Sequence, residues 1–417
     1  MINKIISWSI HNRFLVLVLT LGFLVFGVYS LQQTPIDAIP DLSPNEVIVF
    51  TKWMGKDPQL IEDQVTFPLV SNLQGMPKVK DVRATSMVGM SFVFVVFEDN
   101  TDIYWARSRV LERLNYAQRF LPPGVTPALG PDASGAGQVY WYTLKGPGYD
   151  LGELRALQDW YVKFALQHVP GVSEVASFGG FQKQYQIALD PGKLDFYQVT
   201  LKEVVQAVQQ NNNDVGGRVL DMNGTNYIVR GLGYLKNRSA IADIAVATQG
   251  TTPIRIRDLG DVQIGGAERF GIVDENGAGE VVGGVILARY GANADVVIQA
   301  VKKKMKEIEK GFPPGVTFKM AYDRSTLIES AVKSIQHTIL EEIMLVCLVV
   351  LLFLFHFRSA LVVIVSIPIA ILISFIFFHW LGFSANIMSL SGIAIAIGVI
   401  VDNGIVMVEN AYRHLTE

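Results

Sequence analysis

Ser391-Gly392-Ile393-Ala394-Ile395-Ala396-Ile397-Gly398-Val399-Ile400-Val401-Asp402-Asn403-Gly404-Ile405-Val406-Met407-Val408-Glu409-Asn410 has the length of a membrane span and carries two acids. A charge at the centre of a bilayer costs about 2.5–3.5 kcal/mol on insertion scales, so an acid there is functional, paired or protonated. Asp402 and Glu409 stand two helical turns apart and share one face. Back along that face come Gly398, Ile395 and Ser391, with Gly392, Ala394 and Ala396 beside it. Small residues let such a helix pack tightly on a neighbour and keep its acids from lipid. Two plain readings compete with a functional one: Asp402 pairs with a buried base, and Glu409 reaches water at the helix end. The sharper reading has Asp402 taking up and releasing protons, which couples protonation to movement.

Outward from this stretch the chain is apolar at both ends and mixed between. It has 417 residues, 50% hydrophobic and only 18% charged. Four segments have the length and apolarity to span a bilayer: Phe14–Leu31, Ile339–Phe357, Ala360–Leu381 and Ile387–Val408. Net charge is −3, which gives no reason to expect nucleic acid. The one cysteine, Cys347, lies inside the second span and supports no disulfide framework. The first span is too long for a signal-peptide core, and Gln32-Gln33-Thr34-Pro35 offers no cleavage site. Lys4, Arg13, Arg358 and Arg413 all fall on one side if the N-terminus is cytoplasmic. The large segment between spans one and two then lies outside, in a periplasm-like compartment.

The chain in order predicts an α+β membrane protein. Pro35-Ile-Asp-Ala-Ile-Pro-Asp-Leu-Ser-Pro44 is an extended linker by its prolines. Strands are expected at Glu46–Thr51, Val79–Ser86, Ser91–Phe97 and Thr126–Leu129, with helices at Asp57–Leu73 and Asp102–Ala117. That order, β-α-β-β-α-β, is the ferredoxin-like split unit. It recurs with strands at Val139–Leu144, Val172–Phe178, Val281–Arg289 and Thr317–Ala321 and helices at Leu151–Leu166 and Asp295–Lys310. Leu121-Pro-Pro-Gly-Val-Thr126 and Phe312-Pro-Pro-Gly-Val-Thr317 end the last helix of each unit, an internal repeat. Residues 179–265 form an insertion in the second unit, with a helix near Leu201–Gln210. The domains read as 1–31 (N-terminus and first span), 32–134 (linker and first unit), 135–178 with 266–330 (second unit), 179–265 (insertion) and 331–417 (spans two to four).

The chain resembles the resistance-nodulation-division exporters, and within them the heavy-metal efflux pumps of the Cus copper/silver type. The resemblance is carried by Asn12-Arg13-Phe14, Thr34-Pro-Ile-Asp-Ala-Ile-Pro-Asp-Leu-Ser43, Tyr104-Trp-Ala-Arg-Ser-Arg-Val-Leu111, Arg358-Ser-Ala-Leu361, Ala385-Asn-Ile-Met-Ser-Leu390 and the acid-bearing span. It implies a proton-driven secondary transporter, a proton/metal antiporter rather than an enzyme, without a cofactor and with the metal ion as cargo. It further implies a homotrimer, multi-pass in the inner membrane and surrounded by lipid, that works with a periplasmic adaptor and an outer-membrane channel. The two β-α-β-β-α-β units are then porter subdomains and the insertion a docking subdomain. Asp402 matches the proton-relay aspartate and Glu409 the second acid of the motif. Asn403 stands where drug exporters carry a second adjacent acid, and Ala396 where divalent-metal members carry an extra one. Copper(I) and silver(I) suit thioether sulfur, and Met388 and Met407 match positions where such pumps place methionines on the metal path. The plain reading of each Met is core filling. The same holds for Met87 and Met90.

Pumps of this kind have two matching halves, so the resemblance implies an N-terminal fragment that needs another chain to transport. Two alternatives are kept: a divalent-cation (zinc, cobalt, cadmium) pump, and a non-transporting membrane-anchored scaffold. No G-x-S-x-G, H-E-x-x-H or Walker motif occurs, so neither a hydrolase nor ATP-driven transport is expected.

Overall fold

The structure is a computed structural model. It describes the backbone of residues 2–269, 271–354 and 357–416, and the side-chain surroundings of all of these except 2–5, 215, 218, 230, 335, 339, 342–343, 346–347, 349–354, 357–363, 408–409 and 411–416.

After the apolar helix Arg13–Gln33 and an extended linker come β1 (Glu46–Lys52), β2 (Val79–Met87), β3 (Met90–Phe97) and β4 (Pro127–Leu129). They form an antiparallel sheet in the order β2-β3-β1-β4. Alternation along β1 turns Val47, Val49 and Thr51 inward. Two helical segments cover that face. Ile61, Val65, Leu69 and Leu73 line one at four-residue spacing, and Ile103, Ala106, Val110, Leu114 and Ala117 line the other. The first covering segment starts on Asp57, whose carboxylate caps it by accepting from the Leu60 amide. It runs through a π-helical stretch at Glu62–Thr66 that the sequence periodicity does not reveal. The second is capped by Asp102, which accepts from the Trp105 amide at 2.7 Å. Met87 and Met90 face each other across the β2–β3 turn, with Met87 exposed.

The chain continues with β5 (Gln138–Lys145) and β6 (Val172–Gly179). Next come β7 (Lys183–Leu189), β8 (Val215–Met222), β9 (Thr225–Gly231), β10 (Ala245–Gln249), β11 (Thr252–Arg255) and β12 (Gly260–Gly266). These six make three two-stranded ribbons: β7 with β12, β8 with β9 and β10 with β11. The chain then returns to β13 (Val282–Ala288) and β14 (Thr317–Asp323). The second four-stranded sheet has the order β14-β5-β13-β6. Counted within each unit, both sheets run second-third-first-fourth, so the topology is the same as in the first sheet.

The repeated turns match atom for atom. The Leu121 amide donates to Gln118 and the Val125 amide to Pro122; the Phe312 amide donates to Glu309 and the Val316 amide to Pro313. Gly124 and Gly315 take φ of 82° and 85°, the left-handed region glycine tolerates best. Both turns lead into edge strands, β4 and β14.

The chain divides into two compact units, one of residues 1–143, 162–176 and 284–417, the other of 144–161 and 177–283. The second has its own core, built around Ile241, Ile244, Ile256 and Leu259.

Among the described residues three helical segments are long and apolar enough to cross a membrane: Arg13–Gln33, Ile364–Leu381 and Ile387–Met407. The span expected at Ile339–Phe357 falls on the helix Arg324–Leu354, and most of its side chains, Cys347 included, lie outside the described residues. Helix Phe357–Leu381 runs through Pro368 without a break.

Candidate functional site

The helix that carries the acids, Ile387–Thr416, begins on a built cap. Asn386 is 6% exposed, and its side-chain oxygen accepts from the amides of Met388 and Ser389, each at 3.0 Å. Ser389 answers: its hydroxyl oxygen accepts from the Asn386 amide at 2.9 Å. This reciprocal pairing satisfies amides that a helix start otherwise leaves without partners.

One stripe of the helix, Ile393, Ile397 and Val401, is buried in a cluster with Ile367 and Phe375 of helix Phe357–Leu381. Asp402 lies on the next stripe round. Asp402, Ile395 and Ser391 are exposed and Gly398 is half-buried. The tight packing expected of that face is therefore not made among the described residues. The branched side chains of the neighbouring stripe make it instead. Among the described residues none pairs with Asp402. The side chain of Glu409 lies outside the described residues.

Met388 and Met407 are 68% and 62% exposed. They are separated by about 28 Å of helix at 1.5 Å per residue, so they do not share one ion. Met388 and Asp402 fall on nearly the same face, about 21 Å apart, and Met407 points well away from both. Among the described residues no group of three or more His, Cys, Asp or Glu is placed to hold a metal ion.

The cap is tied to a buried polar joint that sequence reasoning missed. The linker runs beside the residues that precede the cap and forms a one-bridge parallel ladder, Ile36 with Ala385. The Ala385 amide donates to Pro35 (2.9 Å), the Asp37 amide to Ala385 (3.0 Å) and the Ile387 amide to Ala38 (3.3 Å). Arg324, 7% exposed, lies 2.9 Å from Asp37 through Nη2 and donates to it through Nε at 3.0 Å. Its Nη1 donates to the Ala136 carbonyl. Next to it, Asp323 accepts from Ser325 and pairs with Lys302 at 2.5 Å. Burial works against the ionised form of Asp41, but hydrogen bonds from Ser134 and Ser43 and the Arg324 charge outweigh it and hold that carboxyl below its ordinary value. One sequence signal pointed here: Asp323-Arg324 stand at the head of a long helix, and an acid and a base that close to a membrane segment need partners.

Residues 5–417 match the AcrB/AcrD/AcrF family, and the chain belongs to it, a family of pumps of the resistance-nodulation-division type. The cation efflux system proteins SilA of Salmonella typhimurium and CusA of Escherichia coli K12 are each 46% identical to it over 420 residues, all of this chain and 40% of theirs. The cobalt-zinc-cadmium resistance protein CzcA of Cupriavidus metallidurans is 38% identical over 424 residues, again 40% of its length. A crystal structure of a heavy metal efflux pump superposes with a TM-score of 0.89 at 34% identity, covering 98% of this chain and 41% of that one. The chain thus spans about two fifths of the length of the relatives it matches.

Proposed function

We propose that the chain is the part of an inner-membrane, proton-driven heavy-metal exporter that supplies its first porter and membrane elements, with copper(I) or silver(I) as cargo. The observation that carries this is an acid-bearing apolar helix, built on a capped start, in a chain 46% identical end to end to CusA and SilA. Asp402 is the proton-relay group and Glu409 its companion. Met388 and Met407 serve as separate stations for a soft metal ion, since their separation rules out a shared site. The exporter needs no cofactor.

Four spans are read here: Arg13–Gln33, the apolar half of Arg324–Leu354, Phe357–Leu381 and Ile387–Thr416. The two four-stranded units are ferredoxin-like porter subdomains, at 32–134 and at 135–178 with 266–330. Residues 179–265 are a docking subdomain. The N-terminus is cytoplasmic and the sheets periplasmic. The working assembly is a homotrimer joined to an adaptor and an outer-membrane channel. The lower identity to CzcA and the alanine at 396 favour copper and silver over zinc, cobalt and cadmium.

The test is growth rescue in a copper- and silver-sensitive host lacking its own pump, with the remaining part of a matching pump supplied as a second polypeptide. Rescue on silver and copper but not zinc, lost in Asp402→Asn, is the expected result. Rescue on zinc alone turns the reading to a divalent-cation pump. Rescue that survives Asp402→Asn removes the proton role.

A further inference from the structure

The polar joint beneath the cap does more than satisfy its own charges. Arg324 is buried and uses three donors on two segments far apart in sequence: Asp37 of the linker and the carbonyl of Ala136, two residues before β5. Asp37 in turn donates its amide to Ala385, and Ala38 accepts from Ile387. Asn386 stands between those two bridged residues and caps the helix that carries Asp402. Hydrogen bonds therefore lead from Ala136 through the Arg324 guanidinium to the Asp37 carboxylate, and from the Asp37 amide to Ala385, just before the acid-bearing helix. A guanidinium is suited to this place because its planar fork holds several acceptors in fixed directions.

We propose that Arg324 and Asp37 form a strut that sets the acid-bearing helix against the start of the second sheet, with Arg324 the positioning residue. It rests on the reading of Asp402 as the proton site. Movement of the helix start on protonation is carried to Ala136 by this strut, because Asp37 is joined to the helix start through Ala385 and to Ala136 through Arg324.

The test is hydrogen–deuterium exchange on the full chain in lipid nanodiscs, read at the amides of Ala385, Ile387, Met388 and Ser389. Arg324→Met is expected to speed exchange there about ten-fold, roughly the worth of one lost hydrogen bond, with β1 and β3 unchanged. Arg324→Lys keeps the pairing with Asp37 and is expected to restore protection at 385–389, while the amides that follow Ala136 exchange faster. Unchanged protection at 385–389 in Arg324→Met overturns the strut. If Arg324→Met loosens the whole chain, β1 and β3 included, Asp37→Asn decides: a rise confined to 385–389 supports the strut and no rise overturns it. The growth assay separates the strut from the proton reading. Loss of rescue in Asp402→Asn together with full rescue in Arg324→Met, its 385–389 exchange raised, leaves the proton site standing and overturns a role for the strut in transport. Full rescue in Asp402→Asn removes the proton site, and the exchange result still decides whether the strut exists.

Discussion

Asp323 accepts from the Ser325 amide at 2.9 Å and hydroxyl at 2.7 Å, and Lys302 lies against its other oxygen. Burial opposes its charge, yet Lys302 and Ser325 outweigh burial and hold its carboxyl below the ordinary value of 3.8. The stability this gives is fully present above pH 3.8 and is lost as pH falls through the lower folded value. Asp323→Asn is therefore expected to cost about 1.5–3 kcal/mol at neutral pH. It should also flatten the fall in thermal midpoint between pH 4 and the acid limit, read by following the midpoint against pH in both proteins. Asn386→Ala is a simpler case. Loss of the cap is expected to cost about 1 kcal/mol, measured as the shift in denaturation midpoint. At this scale Asp402 was legible, because an acid inside an apolar run stands out. Arg324 and Asp37 were not, because what makes them matter is a meeting of positions 287 residues apart.

The helix Arg13–Gln33 contains two glycines in different surroundings. A Cβ on Gly27 would stand 2.7 Å from the Cβ of Leu372 and 3.0 Å from its carbonyl oxygen, while one on Gly22 would meet nothing within 4 Å. Close helix approach over a small residue explains the difference. Gly27→Ala is expected to destabilise the chain by about 1–3 kcal/mol through overpacking. Gly22→Ala is expected to be neutral or to stabilise by up to about 1 kcal/mol. Thermal unfolding of both variants in one detergent checks the contrast. The Pro-Pro-Gly-Val turns offer a second one. Gly124 and Gly315 have open space around them but left-handed backbone, so alanine at either is penalised only by conformation, about 1–2 kcal/mol. The two costs should agree with each other. Proline and glycine made those turns readable. The π-helical stretches at Glu62–Thr66 and Gln158–Val162 were not readable, since one extra residue per turn barely disturbs a hydrophobic stripe.

Residues 182–267 begin and end side by side. Lys183 of β7 is in register with Gly266 of β12, and the Ala267 amide donates to Gln182 at 2.8 Å. Residues 182–267 enclose Val199, Val204, Ile241, Ile244, Ile256 and Leu259 as a core. A polypeptide of those residues is expected to fold alone with a cooperative melt, read by circular dichroism; a non-cooperative melt would show that it borrows its order. Strand alternation and the repeated turns made both sheets readable. The Ile36–Ala385 bridge was hidden, because a single bridge between distant segments has no periodicity to betray it. The close approach of Gly27 and Leu372 has a consequence for how the chain is made. About 345 residues separate the two, and at some 5–20 residues per second the ribosome needs about 17–70 s to pass from one to the other. Through that interval the helix Arg13–Gln33, a membrane span on the proposed reading, lacks the Leu372 that its glycine notch receives, so its insertion has to be self-sufficient long before that partner is synthesised.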